Sequence, residues 1–428
     1  MTDIITKTSV ATGEKYFLIK HKSGLDIYVL PKKLAVSNVF FTTRYGSVDN
    51  EFKLDTDKEF TKVPDGIAHF LEHKMFENED GTDTFERFAK YGASANAFTS
   101  NEITSYLFSC TDNFYENLEI LMDYVTKPYF TKETVAKEQG IIGQEIRMCE
   151  DDPGRALYDN LLKAMYKDNQ INVNIAGTVE SIAEITAELL YKCYYTFYNL
   201  ANMFMVVSGD VEVEKIVKIA DKMLKCEPPK NIIRRYGKEN AAVNIPRIEA
   251  SFAVSKPTFM IGVKDINISE DPKERMKRNI RGDMLYTLLF GRTSPFAIDV
   301  YESGLINGFG SSYEITKNHA YGMIMGETND VDAVFDKFKK YIADVKKSGL
   351  KKEDFERNKR VGYASLIRMF DSTDAIVQNF TYMMSDGIDF FDYTDEYANL
   401  KFEDVENLLD EMFRDEYYSL SVIKPIKK

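Results

Sequence analysis

The sequence predicts an α+β protein built from two similar α/β domains. Three observations carry that reading. The chain has 428 residues, whereas single cores stop growing near ~250 to 300 residues. Strand-like and helix-like stretches alternate through both halves. A proline-marked break lies near the middle, and beyond it the order of elements faintly recurs.

Tyr16 to Lys20 and Asp26 to Leu30 read as strands around Lys22-Ser23-Gly24, and Asn38 to Arg44 as a third before a turn at Gly46. Gly66 to Met75 reads as a helix, Thr84 to Lys90 as another ended by Gly92, and Ala93 to Thr99 with Thr104 to Ser109 as two more strands. Thr131 is placed to cap a long helix reaching Cys149. Gly140 and Gly143 inside that helix, each costing about 1 kcal/mol relative to Ala, imply close packing against another element. Thr186 can cap a helix over Ala187 to Tyr195, followed by a strand Asn202 to Ser208 and a helix Glu212 to Leu224. Paired prolines and weak periodicity mark residues 227–247 as a linker, which gives domains 1–226 and 248–428. In the second half a strand Thr258 to Val263, helices over Lys273 to Leu289, a strand region to Thr328 and a helix Val331 to Lys347 lead to Phe402 to Phe413 and a strand Ser419 to Ile423. That ending echoes Ala187 to Ser208.

Fifty-five basic against 68 acidic residues leave a net charge of −13, which repels phosphate backbones and anionic lipid. Nucleic acid and membrane are excluded as expected partners. Cys110, Cys149, Cys193 and Cys226 lie far apart without a CxxC pair, as reduced thiols of a cytoplasmic protein do. No apolar run has the length of a signal peptide or a membrane span, and the expectation is a soluble, cytoplasmic chain.

The chain has four histidines, His21, His69, His73 and His319. Two of them stand in His69-Phe70-Leu71-Glu72-His73. Spacing i, i+4 on a helix puts both imidazoles on one face a turn apart, with Glu72 beside them. That is the geometry of two metal ligands and a base, and the pattern is the HxxEH of inverzincins. In a chain this poor in histidine a chance HxxEH has a probability of roughly 0.3%, so two incidental histidines are the weaker explanation. His21 and His319 stand alone and read as structural or solvated. A hydrolytic zinc needs a third protein ligand. Glu138 and Glu145, seven apart on the long helix, are candidates, although such a pair alone is more often a solvated face.

At this point the sequence resembles a known family. PDGIAHFLEHKMFE, YGASANAFTSNEITSYLF and KEQGIIGQEIRMCEDDPGRALYDNL are similar to the zinc peptidases that include pitrilysin, insulin-degrading enzyme and mitochondrial processing peptidase. The likeness continues more faintly through LANMFMVVSGDVEVEKI, and it most resembles the bacterial YmfH-like zinc proteases. The resemblance implies mostly antiparallel sheets with packed helices, forming half of a clamshell. It implies that His69, His73 and Glu145 bind one zinc ion, that Glu72 is the catalytic base, and that Glu138 supports them. It also implies that Asn96, Ala97 and Phe98 belong to an edge strand that seats an extended peptide, with Phe76 and Phe98 lining neighbouring pockets.

The likeness breaks in the second half. Active single-chain and homodimeric members carry an arginine and a tyrosine there, in a segment like REKxGLAYS, that grip the substrate carbonyl. Tyr301-Glu302-Ser303-Gly304-Leu305-Ile306 occupies the expected place and supplies neither, and Arg292 and Tyr313 are out of register. A missing grip and a chain half as long as the four-domain members imply a second subunit. The expectation is a heterodimer with a homologous metal-less chain, ahead of a homodimer. The expected function is zinc metalloendopeptidase action on peptides or small unfolded segments in an enclosed chamber. The alternative is a non-catalytic structural or maturation-associated subunit that keeps the fold.

Overall fold

The computed structural model describes residues 2–426. Strands β1 (Asp3–Thr8), β2 (Lys15–Lys20), β3 (Asp26–Pro31), β4 (Ser37–Thr43), β5 (Glu51–Leu54) and β6 (Thr61–Lys62) come first. Helices α1 (Ile67–Lys74) and α2 (Thr84–Ala89), strands β7 (Ser94–Thr99) and β8 (Thr104–Cys110), and helices α3 (Phe114–Val125) and α4 (Lys132–Glu150) follow. Then come α5 (Pro153–Met165), α6 (Val179–Ala183), α7 (Ala187–Phe197), β9 (Met203–Gly209), α8 (Val213–Met223) and β10 (Ile232–Arg234). The second half holds β11 (Arg247–Phe252), β12 (Thr258–Lys264), α9 (Pro272–Phe290), α10 (Pro295–Glu302), β13 (Asn307–Ile315) and β14 (Ala320–Glu327). It ends with α11 (Val331–Ser348), α12 (Lys352–Arg368), α13 (Thr373–Ser385), α14 (Phe390–Ala398), α15 (Phe402–Glu406), α16 (Leu408–Met412) and β15 (Tyr418–Pro425).

The chain forms two compact units, neither continuous in sequence. The first comprises residues up to Ile146, Val173–Tyr236 and Leu366–Asp392; the second comprises Arg147–Asn172, Gly237–Ser365 and Tyr393 onward. The passage at 236–237 falls inside the stretch read as a linker. That stretch is not loose: β10 within it pairs antiparallel with β5, and Arg234 Nε donates to Asp49 Oδ1 at 2.9 Å. The units also exchange two segments that a single cut at 227–247 leaves in place. Apolar faces explain both exchanges. Leu157, Leu161, Leu162 and Met165 of α5 pack with Met260, Tyr321 and Ile423 in the second unit. Ile376, Val377 and Phe380 of α13 pack with Tyr28, Phe204 and Val206 in the first.

The first unit is organised on a seven-stranded sheet in the order β1-β2-β3-β9-β4-β8-β7, antiparallel except for β3 with β9. Strand alternation sends successive residues to opposite faces. Ile27, Val29, Val39 and Phe41 enter the cluster containing Phe70 and Leu71 of α1, while Tyr28, Leu30 and Phe40 enter the α13 cluster. Each such fully buried side chain contributes about 1.5–3 kcal/mol. β7 is an edge strand, paired only with β8 among the described residues. The second unit carries a five-stranded sheet, β11-β15-β12-β14-β13, whose one parallel pair is β11 with β15.

Candidate metal centre

α1 begins where Gly66 takes φ 89°, and a Cβ there would fall 2.3 Å from the Ala176 carbonyl oxygen. Only glycine admits that approach in that conformation. Ile67, Ala68, Phe70 and Leu71 bury one face of the helix, which leaves His69, Glu72 and His73 grouped on the other. The two imidazole centroids lie 4.6 Å apart, with planes at 63°.

α4 brings the carboxylates. Its buried residues are Val135, Glu138, Ile142, Gly143 and Ile146, so one face of the helix enters the core. Of the two glycines expected to pack closely, Gly143 is buried, whereas a Cβ on Gly140 would meet nothing within 4 Å. Gly140 lies on the open face, and no neighbour requires it. Glu138 is buried, and its Oε1 lies 3.0 Å from His73 Nδ1. The contact gives the buried carboxylate a polar partner, and it turns His73 Nε2 toward Glu145.

His69 Nε2 stands 3.6 Å from Glu145 Oε1, and His73 Nε2 stands 3.5 Å from Glu145 Oε2. Those separations are long for hydrogen bonds. They match the spacing of donors around one tetrahedral ion, about 3.4 Å for bonds of about 2.0–2.1 Å. Among the described residues, His69, His73 and Glu145 form the one group of three or more His, Cys, Asp or Glu side chains whose ligand atoms converge within 4.8 Å. Two imidazoles and a carboxylate suit zinc, so the donor set fits the expected ion.

Glu72 is 7% exposed, and its Oε2 accepts a 2.6 Å hydrogen bond from the Thr99 hydroxyl. Burial pushes its carboxyl above the usual range, against the pull of Thr99 and His73. A carboxylate raised in this way is a better proton acceptor than an exposed one. Burial alone would lower His73. The hydrogen bond to Glu138 and the charges of Glu72, Glu138 and Glu145 outweigh it, and the net direction is upward.

Asn96, Ala97 and Phe98 lie on the edge strand β7 as expected. Phe76 and Phe98 do not share a neighbourhood. Phe76 packs with the α1 cluster, stacked on Phe85 at 4.5 Å, whereas Phe98 packs on the opposite face with Phe40 and Tyr382. Strand alternation is the reason: Ala95 and Ala97 face the α1 cluster, so Phe98 cannot. Tyr382 arrives from α13, which sequence spacing alone could not bring here. Thr99 ends β7, and its hydroxyl contact with Glu72 has no linear signature.

His21 is buried with Nδ1 2.7 Å from Ser23 Oγ and Nε2 3.2 Å from Asp221, and His319 is buried with Nε2 2.9 Å from Glu314. Both are structural. The four cysteines are free thiols. Tyr301 is 79% exposed at the end of α10, and Tyr313 is buried with its hydroxyl on Asp265. Among the described residues no helix is long and apolar enough to cross a membrane.

The sequence model of Insulinase (Peptidase family M16) matches residues 61–179, and that of the Peptidase M16 inactive domain matches residues 184–361. YmfH of Bacillus subtilis, an uncharacterized zinc protease, is 39% identical over 402 residues, 92% of this chain and 92% of its own length. An M16-like peptidase from Alicyclobacillus acidocaldarius superposes with TM-score 0.91 and 31% identity over 99% of both chains. Pitrilysin, at 15% identity and TM-score 0.76, shares the fold along all of this chain and 47% of its own. Sequence and structure agree, and the chain belongs to the M16 family of peptidases.

Proposed function

We propose that the chain is the zinc-bearing catalytic subunit of a metalloendopeptidase acting on peptides or small unfolded segments. The observation that carries the reading is the spacing of Glu145 from both imidazoles, 3.5–3.6 Å, with a buried carboxylate alongside. His69, His73 and Glu145 would hold the ion, and Glu138 would fix the His73 ring through Nδ1. Zinc, when bound, supplies a Lewis acid that acidifies a water and polarises a carbonyl. Glu72 takes up a proton and returns it to the departing amine. The exposed edge of β7, through Asn96, Ala97 and Phe98, seats the peptide by strand addition, which reads backbone more than side chain. Phe76 contributes from the α1 face.

The same reading makes a homologous metal-less chain the partner, since Tyr301 to Ile306 contribute no arginine, and it sets the protein in the cytoplasm on the strength of its four free thiols. Turnover of a quenched peptide, measured with zinc content, before and after chelation, tests it. One zinc per chain, weak turnover alone, and turnover restored by the partner chain are expected. Robust turnover by the isolated chain would remove the partner from the account. Zinc bound without turnover, even with the partner present, would favour the structural alternative.

A further inference from the structure

A carboxylate base has two oxygens, and efficient catalysis needs one of them presented reproducibly. Thr99 closes the edge strand β7 and donates to Glu72 Oε2 at 2.6 Å, the short range of a bond to a charged acceptor. Its other polar neighbour is Thr104 Oγ1 at 3.3 Å, and the proton of Thr104 is committed to the Tyr45 carbonyl at 2.9 Å. Thr104 therefore cannot serve Glu72 in place of Thr99, and the shorter bond takes the single proton that Thr99 has.

The hydroxyl is itself held in place. Thr99 pairs across the ladder with Thr104. Beyond it Ser100 N donates to Ile103 O at 2.8 Å, while Ser47 N and Val48 N donate to the Ser100 and Asn101 carbonyls at 3.0 and 3.1 Å. Gly46 permits that clamp, because a Cβ there would lie 2.3 Å from the Asn101 oxygen. A β-branched side chain on a clamped strand has little χ1 freedom.

We propose that Thr99 is a positioning residue for Glu72. By keeping Oε2 as an acceptor, it leaves Oε1 as the oxygen presented to the His69, His73 and Glu145 cluster. The inference rests on the reading of Glu72 as the base, and it adds that the strand seating the substrate also aims that base. Displacement of β7 then acts on turnover as well as on binding.

The test uses the zinc-loaded full chain and a peptide hydroxamate, whose binding at a zinc peptidase site hands a proton to the carboxylate base without turnover. Hydroxamate affinity is measured for wild type, Thr99→Val, Glu72→Gln, the double variant and Thr99→Ser, with zinc affinity measured by chelator competition. Thr99→Val is expected to weaken the hydroxamate about tenfold in the wild-type background and less than about twofold on Glu72→Gln. Thr99→Ser should restore affinity to within about threefold, and zinc affinity should stay within about twofold throughout. Equal losses in both backgrounds, no loss in the wild type, or loss of zinc from Thr99→Val would each overturn the inference. A wild-type chain that takes up no zinc would overturn the proposed function and this inference together. Zinc and hydroxamate binding unaffected by Thr99→Val would sink this inference alone.

Discussion

Each unit lays a helix against the edge hairpin of its sheet, and the two helices end very differently. In the first unit α1 lies against β7, and His69 and His73 face Glu145 at separations too long for hydrogen bonds and suited to a shared ion. In the second unit α9 lies against β13, and Arg278, Asp265 and Tyr313 pair with one another. Arg278 makes a bidentate pair with Asp265 at 2.7 and 2.9 Å, and the Tyr313 hydroxyl adds a third bond to Asp265 at 2.7 Å. Gly282 of α9 takes the Tyr313 ring so closely that a Cβ would fall 2.4 Å from it. One frame is open for a cation and the other is filled by its own side chains. The fold supplies the frame, and only the residues placed on it supply chemistry.

The largest effects are expected in the first unit. His73→Ala should lose both zinc and turnover, while Glu72→Gln should keep zinc and lower kcat by about 10²- to 10⁴-fold. Metal content and peptide turnover, measured on the same preparations, separate the two. Proteolysis at the wild-type rate by Glu72→Gln would refute its role.

Acidity gives a smaller, graded effect. In the metal-free chain the His73 value lies above its ordinary 6.5. The protonated ring therefore adds stability that is complete below 6.5 and is lost as pH rises through the raised native value. Zinc runs the other way, because it takes the neutral ring: affinity should fall by up to about tenfold per pH unit below that native value. Zinc titrations across pH check this, and a pH-independent affinity would contradict it.

The mildest intervention lies in the second unit. Gly282→Ala should overpack the Tyr313 ring and cost about 1–3 kcal/mol, seen as earlier thermal unfolding, with zinc content unchanged. Loss of zinc there would contradict the independence of the two helix-and-hairpin frames.

Much of the site was legible because HxxEH is a local pattern: helical spacing alone puts His69, Glu72 and His73 together. Glu145 was legible only through the family resemblance, since two glutamates seven residues apart more often mark a solvated face. The long helices α4, α7, α8, α9 and α11 were readable from caps and apolar spacing, whereas α3, α5 and α13 were not, although each buries an apolar face. The exchange of α5 and α13 was not readable, because an amphipathic face announces burial without naming the sheet that buries it. β1 gives no core-facing pattern because five of its six residues are exposed, and α12 gives little because it buries only Phe355. The opposite facing of Phe76 and Phe98 follows from strand register, which motif matching ignores.

The most direct measurement is anomalous diffraction at the zinc edge from crystals of the zinc-loaded chain. One peak per chain is expected, bounded by Nε2 of His69, Nε2 of His73 and the Glu145 carboxylate at about 2.0–2.2 Å. No peak at this cluster, or a peak that leaves the Glu145 carboxylate out of bonding range, would contradict it.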